Sequence, residues 1–233
     1  MRKGYGQFCP VAKAAEIFRE RWNALLFREL GAGSKRFSEL QRGVPLMSPS
    51  MLSRRLKELE QEGVIERRAE SGQSATYHLT PAGEAFLPLV FALGTWGQRW
   101  TRRQLRDDEI DVRLLLWDME RTVRADAFAQ QRALVQLEFS DLPQGQRTWW
   151  SVNDGGAVQL CLQDPGFEVD LYLATTVPDM IHIWRGDLTL RRALDEARLD
   201  AHGPRRMVRA LGAWLNLGPL AGIPSARADH STV

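Results

Sequence analysis

Ser48 to Gly63, SPSMLSRRLKELEQEG, gathers hydroxyls and cations at one end of a helical pattern and carboxylates at the other. Ser48 suits an N-cap and Pro49 the first helical position, while Gly63 suits the left-handed residue that ends a helix. Leu52, Leu56 and Leu59 form one buried stripe, which leaves Ser50, Arg54, Lys57 and Gln61 on the opposite side. Glu58, Glu60 and Glu62 lie toward the far end, so free N–H groups and cations share the N-terminal half. That is chemistry for an anion, phosphate above all. Covalent chemistry has no comparable constellation. No nucleophile elbow, phosphate-binding loop, dinucleotide fingerprint or metal-ligand pair occurs at a usable spacing, so the chain is expected to be no enzyme and to use no cofactor or metal. Cys9 is the other side chain with chemistry of its own. Pro10 after it predicts a helix to about Trp22 with the thiol at its N-cap, and that position together with Lys13 favours a thiolate. The alternative is a small buried apolar residue.

The elements around Ser48–Gly63 fix what it is for. RFSELQRGVPLM reads as a short helix, with Phe37 and Leu40 inward, and a turn at Gly43. VIERR and ATYHL are β-prone runs joined by a turn at Gly72, a two-stranded wing. Helix, turn, helix and hairpin in this order make a winged helix-turn-helix, whose second helix enters the major groove. Lys35 and Arg36, Arg67 and Arg68 in the wing, and Gln73 at its tip are the expected backbone contacts. With Ser48 at the helix start, Ser50, Met51, Ser53, Arg54, Arg55 and Lys57 are nearest the base edges.

Charge supports the same division of labour. Residues 1–106 carry 18 Lys/Arg against 10 Asp/Glu, a net +8, whereas residues 107–233 carry 13 against 19, a net −6. A basic domain joined to an acidic one suits a chain whose first part holds DNA. Cys9 and Cys161 fall in different halves, which argues against a structural disulfide, and Cys161 is given no function. Neither a signal peptide nor a membrane-length apolar run is evident, so the expected location is cytoplasmic, without a membrane partner.

Ala12, Ala15, Ile17 and Phe18 form the apolar side of the first helix, and NALLFREL predicts a second with Leu25, Leu26 and Leu30 inward. After Thr80 and Pro81 a long helix places Phe86, Val90, Leu93, Gly97 and Trp100 on one stripe with Gly94 beside it. A small wing cannot cover that stripe, so a second copy of the same helix is its expected partner, giving a homodimer.

Charge becomes dense from Arg102 to Arg113, the expected boundary. The chain then divides into a linker helix over 107–126, a domain over 127–217 and a disordered tail over 218–233. LLLWDMERTVRADAF predicts one helix, and LVQLEFS, RTWWSVN, AVQLCLQ and DLYLATT alternate as four antiparallel strands. Two helices, a short fifth strand at RLDAHG and a closing helix at PRRMVRALGAWL complete an α+β domain, with helices on one face of the sheet.

CPVAKAAEIFRERWNALLFREL, RFSELQ, SPSMLSRRLKELEQEGVIERR and YHLTPAGEAF together resemble the HxlR-type winged-helix transcriptional regulators over about the first hundred residues. The resemblance implies a dimer on pseudo-palindromic double-stranded operator DNA, with repression the commoner outcome. Some members sense oxidants or electrophiles through a cysteine near the N-terminus, and Cys9 matches that position. The order of elements from 127 to 217 resembles the sterol carrier protein type 2 fold. That implies an apolar tunnel for a small hydrophobic effector, for which Leu160, Leu162, Leu171, Leu173, Trp184 and Trp214 are the candidates. The alternative function is a lipid carrier that uses its winged domain as an interaction module.

Overall fold

The computed structural model describes residues 4–226 except positions 70, 71, 73, 102, 103, 131 and 219. The chain divides into two compact units, Met1–Gly94 and Thr95–Val233.

The first unit contains α1 (Pro10–Phe18), α2 (Asn23–Gly31), α3 (Phe37–Gly43), α4 (Pro49–Gln61), β1 (Ile65–Arg68), β2 (Thr76–Leu79) and the first turns of α5 (Pro81–Trp100). Its core is built from Leu26, Phe27 and Leu30 of α2, Leu40 of α3, and Leu52, Leu56 and Leu59 of α4, closed by Val44, Met47, Val64 and Ile65. Two details differ from the sequence reading. The first helix stops at Phe18 rather than near Trp22, because the Asn23 side chain donates to the Ile17 carbonyl (2.6 Å) and Trp22 turns left-handed at φ 85°. In α2 the buried stripe is Asn23, Leu26, Phe27 and Leu30, leaving Leu25 exposed. Downstream, β1 and β2 pair antiparallel as the wing, and Gly63, at φ +71°, ends α4. Gly83 lets α5 start against the wing: a Cβ there would lie 2.1 Å from the Val64 carbonyl oxygen.

The second unit takes the last turns of α5, a 3-10 turn at Asp107–Glu109 and then α6 (Val112–Thr122), capped by Asp111, whose Oδ1 accepts from the Arg113 and Leu114 N–H groups. Leu115, Leu116 and Met119 of α6 lie in this unit's core, so the helix is part of the domain rather than a linker. It ends at Thr122, earlier than the predicted single helix, and Val123 is extended ahead of a 3-10 turn at Ala125–Phe128. The order thereafter is β3 (Arg132–Phe139), α7 (Gln144–Arg147), β4 (Thr148–Asp154), β5 (Ala157–Cys161), β6 (Leu171–Thr175), α8 (Val177–Trp184), α9 (Leu190–Asp195), β7 (Leu199–His202) and α10 (Arg205–Leu215).

The five strands lie in the order β5-β4-β3-β6-β7. β3 and β6 run parallel and every other pair antiparallel, so the sheet is mixed and not, as the sequence suggested, antiparallel. Alternation specifies which face a side chain takes and not the direction of the neighbouring strand. The inner face carries Val135, Leu137, Phe139, Leu171, Leu173 and Leu199 against Met180 and Ile183 of α8 and Met207, Leu211 and Trp214 of α10. One polar cluster sits in this layer. The Trp214 indole N–H donates to Asn153 Oδ1 (2.8 Å), and Asn153 Nδ2 donates to the Ala133 and Ser151 carbonyls, so the buried amide is satisfied. Beyond α10, Ala221 N–H donates to the Gly218 carbonyl and Ile223 N–H to that of Leu220. The Ala221 carbonyl packs onto Gly186 and 220–222 form a turn, where a disordered tail was expected over 218–233; residues 227–233 lie outside the described residues.

Candidate nucleic-acid interface

Ser48 fixes the start of α4: its Oγ accepts from the Met51 N–H (3.3 Å) and lies 3.2 Å from Ser50 Oγ. From that start the helix exposes Ser50, Ser53, Arg54 and Lys57 along one stripe. Neither Arg54 nor Lys57 has an ion pair among the described residues. Arg55 is different and corrects the sequence reading. Only 9% exposed, it is held between Glu20 (Nη2 to Oε2, 2.6 Å) and Glu58 (Nη1 to Oε2, 2.7 Å). Its position, three after Leu52 and four before Leu59, puts it on the inner side of the helix, so it braces α4 instead of reaching outward. Met51 is likewise half-buried and packed against the first unit's core.

Lys35 and Arg36 are joined to the wing by the backbone. The Tyr77 N–H donates to the Lys35 carbonyl (2.8 Å) and Arg36 bridges Thr76, while Glu39 Oε2 accepts from both the Lys35 and Arg36 N–H groups. Burial acts to raise Glu39, but those N–H donors outweigh it and hold the carboxyl below its ordinary range. Two exposed cations therefore stand beside the hairpin on a fixed backbone. In the wing, Arg67 is exposed and without an ion pair among the described residues, whereas Arg68 folds back onto Glu66 (Nε to Oε1, 2.8 Å). Gln73 lies outside the described residues. Sequence reasoning passed over His78, which faces Glu66 across the hairpin and hydrogen-bonds Thr76 Oγ1 (2.9 Å). Partial burial, then the charges of Arg68 and Lys35, hold its imidazole below the ordinary 6.5, with Glu66 opposing. Its place in a strand bracketed by cations was the available signal.

Cys9 stands at the N-cap of α1 as expected, a free and partly exposed thiol that makes no side-chain cap. Lys13 is paired with Glu16 (3.5 Å). The predicted stripe of α5 splits in two. Phe86 and Val90 pack into the first core, Phe86 against Phe18 and Phe27, and the exposed stripe is Leu89, Leu93, Trp96 and Trp100. Gly94 and Gly97 are half-buried, and a Cβ at Gly97 would meet only Thr101 Oγ1 at 3.6 Å. Of the six residues predicted for an effector pocket, five come together, as packed core or at its margin. Leu171, Leu173 and Trp214 fill the second core, Leu160 and Trp184 pack at its margin and Leu162 is exposed. Two open clefts of roughly 470 Å³ lie elsewhere, one lined by Arg132, Asp154, Cys161 and Phe167, the other by Glu168, Asp170, Tyr172 and His202, and none of the six predicted residues lines either. Among the described residues no group of three or more His, Cys, Asp or Glu is placed to hold a metal, and no helix is long and apolar enough to cross a membrane.

Comparison with known proteins bears on the half that carries the interface. Residues 17–105 match the model of the HxlR-like helix-turn-helix family. The chain is 40% identical over 97 residues to YvaP of Bacillus subtilis (strain 168), an uncharacterized HTH-type transcriptional regulator, covering 40% of this chain and 90% of YvaP. It is 35% identical over 95 residues to the HTH-type transcriptional regulator YodB of the same organism, covering 40% of this chain and 85% of YodB. The reduced form of the redox regulator HypR aligns with a TM-score of 0.37 at 30% identity, over 39% of this chain and 91% of HypR. Matches that span nearly the whole of such regulators, on the helices and wing described above, establish that this chain belongs to the HxlR-like helix-turn-helix family.

Proposed function

We propose that the protein is a homodimeric, sequence-specific transcriptional regulator, a repressor, in which α4 reads the major groove while Lys35, Arg36 and Arg67 hold phosphate. The observation that carries this reading is the contrast on α4. Arg55 is spent on two carboxylates, whereas Ser50, Ser53, Arg54 and Lys57 share an exposed stripe whose cations have no acid partner among the described residues. Dimerisation uses Leu89, Leu93, Trp96 and Trp100, spaced four, three and four apart, as one apolar seam repeated on a second copy. Control is assigned to the Cys9 thiol. Support comes from its place at a helix N-terminus and from the treated forms in which similar proteins have been solved. YodB is known in diamide-treated and quinone-bound forms, and HypR in an oxidized form. For the second unit the helix, five-stranded sheet and closing helix support the sterol-carrier-like reading and a role in binding an apolar effector. With Trp214 buried and hydrogen-bonded, such a ligand has to displace core side chains or use an outer cleft.

The test is fluorescence anisotropy of the full chain on duplex DNA from upstream of its own gene, reduced and after mild oxidation, with Cys9→Ser in parallel. Tight, salt-sensitive binding that collapses on oxidation only when Cys9 is present supports both parts. Tight binding indifferent to oxidation removes Cys9 as the switch and leaves the DNA reading intact. Salt-insensitive, weak binding removes the regulator reading in favour of a carrier.

A further inference from the structure

We propose that Leu46 reads the 5-methyl group of a thymine, adding an apolar specificity contact to the polar ones of α4. The proposal rests on the DNA-binding reading above. Leu46 is 75% exposed, although its neighbours Val44 and Met47 are each only 1% exposed. The backbone on both sides is locked: the Met47 N–H donates to the Val44 carbonyl (2.9 Å), and Gln41 Nε2 donates to the carbonyls of Val44 (3.3 Å) and Met47 (2.6 Å). The leucine is thus aimed outward by a rigid turn and not by any packing of its own. Two residues later Ser48 caps α4, so the isobutyl group stands beside the end of the helix that carries Ser50, Ser53 and Arg54.

A single exposed leucine on an arbitrary surface needs no explanation. Here position and chemistry supply one. Hydroxyls and a guanidinium discriminate bases by hydrogen bonds, and the thymine methyl is the one major-groove feature they cannot read. Met51, the nearest apolar alternative on α4, is packed against the core. Leucine also has nothing to offer a phosphate, so a contact to the sugar-phosphate backbone would leave the residue type without a reason.

The test uses the full chain and its preferred site, obtained by enrichment from random duplexes. Thymines in that site are replaced one at a time by deoxyuridine, which removes the methyl and leaves every hydrogen-bonding group in place. One position in each half-site should lose about three- to five-fold in affinity, the value of one buried methyl. Leu46→Ala should bind the thymine and deoxyuridine duplexes equally at that position. No deoxyuridine-sensitive position, or a Leu46→Ala protein that keeps wild-type discrimination, overturns the proposal while leaving DNA binding standing. A Leu46→Ala protein whose mass by light scattering differs from wild type also overturns it, because the side chain would then belong to a protein interface. Failure to enrich any duplex would instead remove the DNA reading beneath it.

Discussion

Adjacent arginines on α4 have opposite duties, and the difference is measurable. Removing Arg55 leaves Glu20 and Glu58 without their shared cation, so Arg55→Ala should lower unfolding free energy by about 2 kcal/mol in urea titration. Arg54→Ala should leave stability within about 0.5 kcal/mol and cost about 1 to 3 kcal/mol in binding at one preferred base step. Equal effects of the two on stability would contradict the assignment. Ser48 as a cap and Gly63 as a terminator were legible because capping is local chemistry. Arg55 was misread because charge was given more weight than its helical phase between Leu52 and Leu59. His78 belongs to the same scale. Its folded-state proton affinity lies below the ordinary 6.5, so the unfolded chain binds more protons and stability rises with pH through this range. The contribution is complete above 6.5 and is lost as pH falls below it. His78→Gln should therefore flatten the loss of stability as pH falls below 6.5 seen by thermal melts. A wild-type curve already flat there would show that His78 is not the titrating group.

α5 shows what periodicity can and cannot assign. A helix this apolar needs cover on more than one side, and the sequence located the helix correctly but merged its two stripes into one. Packing separates them: Phe86 and Val90 belong to the first core, whereas Leu93 and Trp96 remain 57% and 56% exposed. If the outer stripe is a self-complementary seam, a charge there should be felt twice, once from each copy. Leu93→Asp should cost about 2 kcal/mol per protomer, about 4 for the pair, and weaken dimerisation by about three orders of magnitude in sedimentation. Thermal stability of the monomeric unit should change little, since more than half of Leu93 is exposed in its own chain. A Leu93→Asp protein still dimeric at micromolar concentration would show that the seam lies elsewhere. In the second unit the strands and their inner faces were legible, because alternation is a property of each strand alone. The parallel pairing of β3 with β6 was not, because it depends on how residues 162–170 cross the sheet. Nor was the filling of the core by Trp214, whose indole N–H finds Asn153 sixty-one residues away in sequence.

Over the whole molecule the two halves differ in charge, +8 against −6, and the function proposed converts that difference into salt dependence. Lys35, Arg36, Arg54, Lys57 and Arg67 are exposed on the first unit, where the proposed function puts the DNA. If Arg54 and Lys57 approach phosphate as well as base and a dimer engages both half-sites, about ten phosphates are neutralised, and log K should fall against log salt with a slope near −9. Each substitution of Lys35 or Arg67 by alanine removes two contacts per dimer and should reduce that slope by about 2 without changing the preferred sequence. Combining the titration with Leu93→Asp joins the scales. A monomer retains one set of five cations, so its slope should fall to about −4 to −5 together with its affinity. A Leu93→Asp protein that is monomeric in sedimentation yet keeps the full slope would mean that two protomers are brought together by DNA and not by α5. An unchanged slope in Lys57→Ala would place that stripe of α4 away from the phosphates.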